Sequence, residues 1–437
     1  MPPAQSSAGH QRRPGYTPAN AAVGRRGQHT RDRIITHAAR LFATHGFYGT
    51  SIDAIAREVG GSRATVYQYF AGKDEIFVEL TRRGEHAVLE HVGRLQGLGP
   101  HADGLRSLRR WVRDGAKLYD RYAMVFLEFP GVGHAADLPP TDAAAIAGQY
   151  TDLFTQRLQD AGVAGIAPAD AAAALLRITH MVNLYRHRRM FELPSATQTS
   201  DSLTVAMQLL LFPDTPDEVL TEVVPARVGA RLHEVPAAAA VPAQPESDPS
   251  TVSPVRQDIL AAGSALFAEH GFSDVGMAYI ATAAGVSRAT LYRHFAGKVE
   301  IFSELTSWTA VEGGLLSTEL HALAARGVSR QQLKAWLARY VHFHRNYRGV
   351  IRSWYDGSLE PGLSETVGQG LRPYRAAALA LVARARLPAN VDPAVAAAIV
   401  LAVLGRMSER PAGSGHETDY DAATLMANVL NRALRLN

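Results

Sequence analysis

The sequence predicts an all-α protein made of two copies of one helical module. Three observations carry that expectation. The stretch SRATVYQYFAGKDEIF at Ser62 returns as SRATLYRHFAGKVEIF at Ser287, 225 residues on, with four differences in sixteen positions. Around it, residues 31–81 align with 256–306 without a gap, and about half of them are identical. Apolar residues recur at helical spacing, whereas alternating β patterns and hairpin dipeptides are scarce. A repeat of this length sets the architecture and is read before anything else.

The same offset continues more faintly, placing Trp111 on Trp336, Tyr122 on Tyr347 and Pro168 on Pro393. The expected organisation is a disordered basic arm (1–30), a first helix-turn-helix domain (31–81) and a first helical regulatory domain (82–213). A linker (214–253), a second helix-turn-helix domain (254–306) and a second regulatory domain (307–437) follow. The linker contains the Pro- and Ala-rich run RLHEVPAAAAVPAQPESDPSTVS, which has no apolar periodicity. The arm is rich in Gly, Pro, Ser and Arg.

Within each copy the elements follow from local chemistry. Residues 31–44 place Ile34, Ile35, Ala38, Leu41 and Phe42 on one helical face. Gly46 ends that helix. Thr50 and Ser51 supply hydroxyls to cap the next one, which runs to about Val59. Gly60-Gly61, or Gly285-Val286, forms a turn. Ser62 or Ser287 then caps a third helix through Tyr69 or His294. A fourth begins near Lys73 or Lys298. Two short helices joined by a Gly-containing turn make the helix-turn-helix pattern.

Composition bounds the function. A chain of 437 residues calls for more than one core. Cysteine is absent, which excludes disulfides and thiolate metal sites and fits a reducing cytoplasm. No run of 18 apolar residues implies a membrane span, and the first thirty residues lack the apolar core of a signal peptide. The net charge of +4 is unevenly spread. Residues 1–83 hold twelve Lys/Arg against six Asp/Glu, whereas residues 251–310 hold four against five. Concentrated positive charge at one end is the electrostatic footprint of a polyanion partner.

The stretch TSIDAIAREVGGSRATVYQYFAGKDEIF resembles the DNA-binding domain of TetR-family transcriptional regulators, and its counterpart in the second copy follows the same pattern. The resemblance is firm over about fifty residues per copy. It implies a helical ligand-binding and dimerisation domain after each reading head, a double-stranded DNA operator as partner, a small lipophilic effector and no cofactor. The tandem arrangement resembles the double TetR-type regulators of mce lipid-import operons, which implies a lipid or steroid effector. The expected mechanism is that of a repressor whose ligand changes the spacing of its heads and lowers operator affinity.

In a helix-turn-helix the recognition helix enters the major groove with its early residues near base edges. Arg63 and Arg288 sit in its first turn, where an arginine reaches a guanine or a phosphate. Thr65 and Thr290 can meet a thymine methyl. Tyr67, Tyr292, Tyr69 and His294 can donate to phosphates, as can Thr50 and Ser51. Lys73 and Lys298 head a helix whose exposed amides also favour an anion. Of the four differences, Val66 against Leu291 is a core exchange, and Asp74 against Val299 lies beyond the helix. Tyr69 against His294 alters a phosphate donor. Gln68 against Arg293 exchanges an adenine reader for a guanine reader, so the operator is expected to be asymmetric or an imperfect palindrome. The second copy has Val275, Gly276 and Ala278 in place of Thr50, Ser51 and Asp53, and it lacks the arm bearing Arg12, Arg13, Arg25, Arg26, Arg31 and Arg33. The first copy is therefore expected to supply more of the binding energy.

The Ala- and Leu-rich pairs 168–190 with 199–212 and 392–409 with 419–435 are the expected dimer surface, closing a monomeric pseudo-dimer within one chain. Effector pockets are expected over 82–165 and 307–390, with Trp111, Tyr122, Phe126, Trp336, Tyr347 and Trp354 as lining candidates.

Rival readings remain at this level. An enzyme would need a motif that the sequence lacks: there is no His-Glu-x-x-His, no phosphate loop and no nucleophile elbow. His342 and His344 fall on different helix faces and do not make a metal pair. An architectural DNA-bending protein without an effector is a second alternative. A third is a helical regulator in which only the first copy binds DNA and the chain homodimerises.

Overall fold

The computed structural model describes residues 25–128, 143–226, 237–238, 253–357, 364–408 and 418–436. These residues form nineteen α-helices and no strand. The first half holds α1 (Arg25–Gly49), α2 (Ile52–Val59), α3 (Arg63–Tyr69), α4 (Lys73–Gly93) and α5 (Ala102–Arg121). It continues with α6 (Ala123–Glu128), α7 (Ala143–Asp160), α8 (Pro168–His187), α9 (Ala196–Leu211) and α10 (Asp217–Val223). The second half holds α11 (Pro254–Asp274), α12 (Met277–Ala283), α13 (Arg288–His294), α14 (Lys298–Arg326) and α15 (Arg330–Asn346). It ends with α16 (Arg348–Gly357), α17 (Ser364–Ala383), α18 (Pro393–Met407) and α19 (Asp419–Leu434). The chain divides into two compact units, one of Met1–Val88 with Leu118–Ala143, the other of Leu89–Lys117 with Ala144–Asn437.

The first unit is the first helix-turn-helix domain. Ile34, Ala38 and Phe42 of α1 pack on Ile55 and Val59 of α2, Val66 of α3, and Ile76 and Leu80 of α4. Tyr122 and Val125 complete this core. The helix expected to stop at Gly46 does break there, because Gly46 has φ 72°, a left-handed conformation that side chains disfavour. Gly271 repeats the break in the second copy with φ 78°. At the break in each copy three phenylalanines interlock: Phe42, Phe47 and Phe77, and Phe267, Phe272 and Phe302.

A charged lock also recurs at the 225 offset. Arg31 pairs with Glu79 at 2.9 Å and lies 4.9 Å over the Phe70 ring. Arg256 pairs with Glu304 and lies 3.9 Å over Phe295. Arg33 donates to the Val59 carbonyl at 2.6 Å. Arg31 and Arg33, expected in a DNA-seeking arm, are instead structural, because α1 starts at Arg25 and carries them onto the domain. Arg12 and Arg13 lie outside the described residues.

Burial alone would raise the pKa of Glu79, but hydrogen bonds from Arg31, Arg83 and Arg82 outweigh it and hold the carboxyl at about 2. A depressed folded value stabilises above the ordinary value of 4.5, and the contribution is lost as pH falls toward 2. Hydrogen-exchange protection across residues 31–81, corrected for the intrinsic rate at each pH, should therefore fall over that acid window. Glu79→Gln should be less protected than wild type at neutral pH and equal to it near pH 2; equal protection at all pH values would refute the lock.

The second unit contains the second helix-turn-helix domain and a bundle built by both halves of the chain. α8 packs on α18, and α9 on α19. Their shared faces are small and apolar, with Ala171, Ala174, Ala398 and Ala402 buried, and small residues let helix backbones approach closely. Polar ties cross between the halves. Asn390 donates to the carbonyls of Leu220 and Val224 at 3.0 and 2.9 Å. The Asp392 amide donates to Ser202 Oγ at 3.0 Å. Arg432 donates to the Leu210, Ala164 and Leu211 carbonyls at 2.7, 2.8 and 3.1 Å. The stretch expected to be linker from 214 onward contains α10, whose Leu220 and Val223 are buried. Arg109 Nη1 donates to the Val223 carbonyl at 2.6 Å. Most of the remaining linker lies outside the described residues.

Candidate nucleic-acid interface

Each reading head is a buried scaffold that forces a few side chains outward. In the first, Ser51 Oγ caps α2 by accepting from the Ala54 amide at 3.2 Å. A side-chain cap of this kind is worth about 1 kcal/mol. Gly60 closes α2 in the left-handed region with φ 72°. Ser62 and Thr65 then form a reciprocal capping box that starts α3. Val66 and Phe70 are buried, which turns Arg63 and Gln68 to the exposed side.

Several expected contacts need correction. Thr50 is only 2% exposed, and its hydroxyl donates to the Gly46 carbonyl at 2.8 Å. It braces the helix break and does not face DNA. Val275 is buried at the same place in the second copy, so that exchange costs no outward contact. Lys73 Nζ donates inward to the Phe47 and Thr50 carbonyls at 3.0 and 3.4 Å and sits 4.5 Å over the Phe47 ring. Lys298 repeats this on Phe272, at 2.9 Å to its carbonyl and 4.6 Å over its ring. Both lysines fasten the fourth helix to the break in the first. Thr65 and Thr290 are half-buried and engaged with Ser62 and Ser287. Tyr69 is half-buried and packs against the core. His294 is half-buried, and its carbonyl accepts from Arg256 at 2.6 Å.

What remains outward differs between heads. The first presents Ser51, Arg63, Gln68 and a half-buried Tyr67; the second presents Arg288, Tyr292 and Arg293. Ser51 has no hydroxyl counterpart at Gly276, so α12 lacks a side-chain cap.

Asp53 was not among the expected site residues. Its carboxylate meets Arg63 Nε at 3.3 Å. Tyr67, one turn on, hydrogen-bonds the same guanidinium, and this bond first and the Asp53 charge second hold the Arg63 pKa above its ordinary value. The signal was present in the exchange of Asp53 for Ala278.

The expected pocket residues are mostly core. Trp111 stacks on His91, Trp336 is fully buried and stacks on Tyr340, and Tyr122 and Phe126 belong to the first helix-turn-helix core. The Tyr347 hydroxyl is pushed up to about 12 by burial and a hydrogen bond with Glu312. Of the six, Trp354 lines a small cavity of about 20 Å³. Tyr340, Tyr374, Ile351 and Gly405 share its wall with Tyr185 and Phe191 from the first half of the chain. That volume holds about one water. His342 pairs with Asp419 at 3.2 Å while His344 is buried, so the two do not converge.

Two helix-turn-helix domains, each followed by helices that contribute to a common bundle, define a tandem all-α architecture. Residues 34–80 and 259–305 each match the TetR_N family, described as bacterial regulatory proteins of the tetR family. The chain thus carries two domains of this family in tandem. Among curated relatives, MftR of Mycobacterium tuberculosis is 38% identical over 96 residues, 22% of this chain and 45% of that protein. The transcriptional repressor AcnR of Corynebacterium efficiens is 26% identical over 101 residues, covering 23% and 50%. The transcriptional activator FasR of Mycolicibacterium smegmatis is 32% identical over 104 residues, covering 23% and 47%. The chain spans about half the length of the curated relatives it matches. AibR, solved in complex with isovaleryl coenzyme A and operator DNA, aligns with a TM-score of 0.33 at 21% identity, covering 42% of this chain and 98% of that one. Among the described residues no helix is long and apolar enough to cross a membrane.

Proposed function

We propose that the chain is a sequence-specific DNA-binding repressor that reads an asymmetric operator with both heads of a single chain. The observation that carries this reading is the pair of recognition helices with unlike outward residues, Arg63 and Gln68 against Arg288 and Arg293, on matching buried scaffolds. The shared α8–α9–α18–α19 bundle supports one chain acting as its own dimer. Two heads in a dimer bind half-sites ~34 Å apart.

In this reading the effector enters by opening the small cavity beside Trp354. Five aromatic side chains line it and no charged one does, which suits an uncharged lipophilic molecule. At the 225 offset the first copy has Gly115, Gln149 and His180 in place of Tyr340, Tyr374 and Gly405, so the effector is assigned to the second copy. α16 supplies the coupling. It carries Ile351 and Trp354 into the cavity wall, while Gly349 lies so close to Ser264 and Ala268 of α11 that a Cβ would meet the Ser264 carbonyl. A ligand that favours a shifted α16 therefore moves the first helix of the second head.

Selection of bound sequences from a random DNA pool, with the mass of the complex measured, tests the reading. One chain on a bipartite site with unlike halves supports it, and release by an uncharged lipophilic compound supports the effector assignment. A symmetric site held by two chains overturns it. That outcome favours the reading in which only the first head, with its Ser51 cap, binds DNA.

A further inference from the structure

The two recognition arginines occupy equivalent positions but different electrostatic settings. Arg63 has Asp53 3.3 Å from its Nε, and Tyr67 hydrogen-bonds its guanidinium from the next turn. Asp53 lies in the first turn of α2, so the contact bridges the two helices of the motif. In the second head the position of Asp53 is Ala278, and Arg288 is exposed with no ion pair among the described residues. Tyr292, the counterpart of half-buried Tyr67, is 55% exposed.

The consequence follows from how arginine reads DNA. A guanidinium held in place loses less freedom on meeting a base edge, and its charge is partly answered. A carboxylate beside it repels phosphates, so the pair disfavours backbone contacts. A free guanidinium binds any phosphate within reach and adds to salt-dependent, sequence-independent affinity. We propose that Asp53 is a specificity-determining positioning residue. It holds Arg63 for a base edge in the first head, and its absence leaves Arg288 to a phosphate in the second. This inference rests on the DNA-reading function proposed above and reverses the expectation, drawn from the sequence, that the first copy supplies more of the binding energy. Discrimination comes chiefly from the first head, and charge-driven affinity from the second.

The test uses the full chain with Asp53→Ala, Asp53→Asn and Ala278→Asp, compared by random-pool selection and by salt titration on the selected site. Asp53→Ala should flatten the preference at the base read by Arg63 about tenfold. It should also steepen the dependence of log affinity on log salt by ~0.9, the value of one added phosphate contact. Ala278→Asp should shift the slope by a similar amount in the other direction and sharpen preference in the second half-site. Asp53→Asn keeps the shape and a hydrogen-bond acceptor without the charge, so it should fall between, and it carries the test if the alanine variant melts early. Wild-type preference and slope in both Asp53 variants overturn the inference. Arg63→Ala separates the two levels: if it too leaves binding unchanged, the DNA-reading function fails as well, whereas if it weakens binding only the positioning role fails.

Discussion

Arg63→Ala is expected to lower affinity for the selected operator by about 10- to 100-fold, or about 1–3 kcal/mol, and to erase preference at one base position. Arg288→Ala is expected to act differently, weakening operator and random DNA alike and lowering the salt slope by about one. The contrast has a structural origin. Both arginines begin seven-residue helices of matching register, and both are forced outward by a buried Val66 or Leu291. Only Arg63 is tied to a neighbouring carboxylate. Because both side chains are exposed, neither substitution removes core packing, and melting temperatures should stay near wild type. Fluorescence anisotropy on operator and scrambled duplexes, each at several salt concentrations, measures both quantities. Equal and sequence-independent losses in the two variants would mean that both arginines hold phosphates and that discrimination lies elsewhere, with Gln68 and Arg293 the remaining outward readers.

Much of this was legible in the sequence. The repeat, the helix break at Gly46 and the four bundle helices emerged near their predicted bounds, because each rests on local periodicity or on a glycine with a backbone reason to be there. The direction of individual polar groups was harder to read. Thr50 and Ser51 both offer a hydroxyl at one helix start, and pattern alone does not say which turns inward. Val275 in the second copy was the available clue, since an apolar residue tolerated there marks a buried position. The lysines were misjudged for a similar reason. Lys73 and Lys298 persist alongside Phe47 and Phe272, and that co-retention points to an internal contact. The cavity was not readable, because Tyr185 and Phe191 reach it only through the packing of α8 on α18. Helix α10 has seven residues, too few to produce a periodic signal within a stretch otherwise read as linker.

The bundle yields the second large expectation, with Arg432→Ala destabilising the second unit by about 2–4 kcal/mol. Arg432 of α19 donates to three carbonyls of the first half, those of Leu210 and Leu211 at the end of α9 and of Ala164 in the turn between α7 and α8. The last carbonyls of a helix have no internal partner and carry the negative end of its dipole, so a cation placed there satisfies both demands. Hydrogen bonds to a charged group contribute about 1.5–3 kcal/mol, and carbonyls left unsatisfied under a bundle add their own cost. Gly165 supports the fit: its φ is 74°, and a Cβ there would lie 2.7 Å from the Arg432 guanidinium. Arg435 is the control. Its pair with Asp217 at 2.7 Å involves a largely exposed carboxylate, so Arg435→Ala should cost under about 1 kcal/mol. Urea unfolding followed by tryptophan fluorescence reports on this unit, since Trp111, Trp308, Trp336 and Trp354 all lie within it. Functionally, Arg432→Ala should weaken binding to the bipartite operator while leaving each isolated half-site unaffected, because the bundle contacts between the halves of the chain would weaken while each head kept its own fold. Equal losses on single half-sites would instead place Arg432 in the stability of the second head itself.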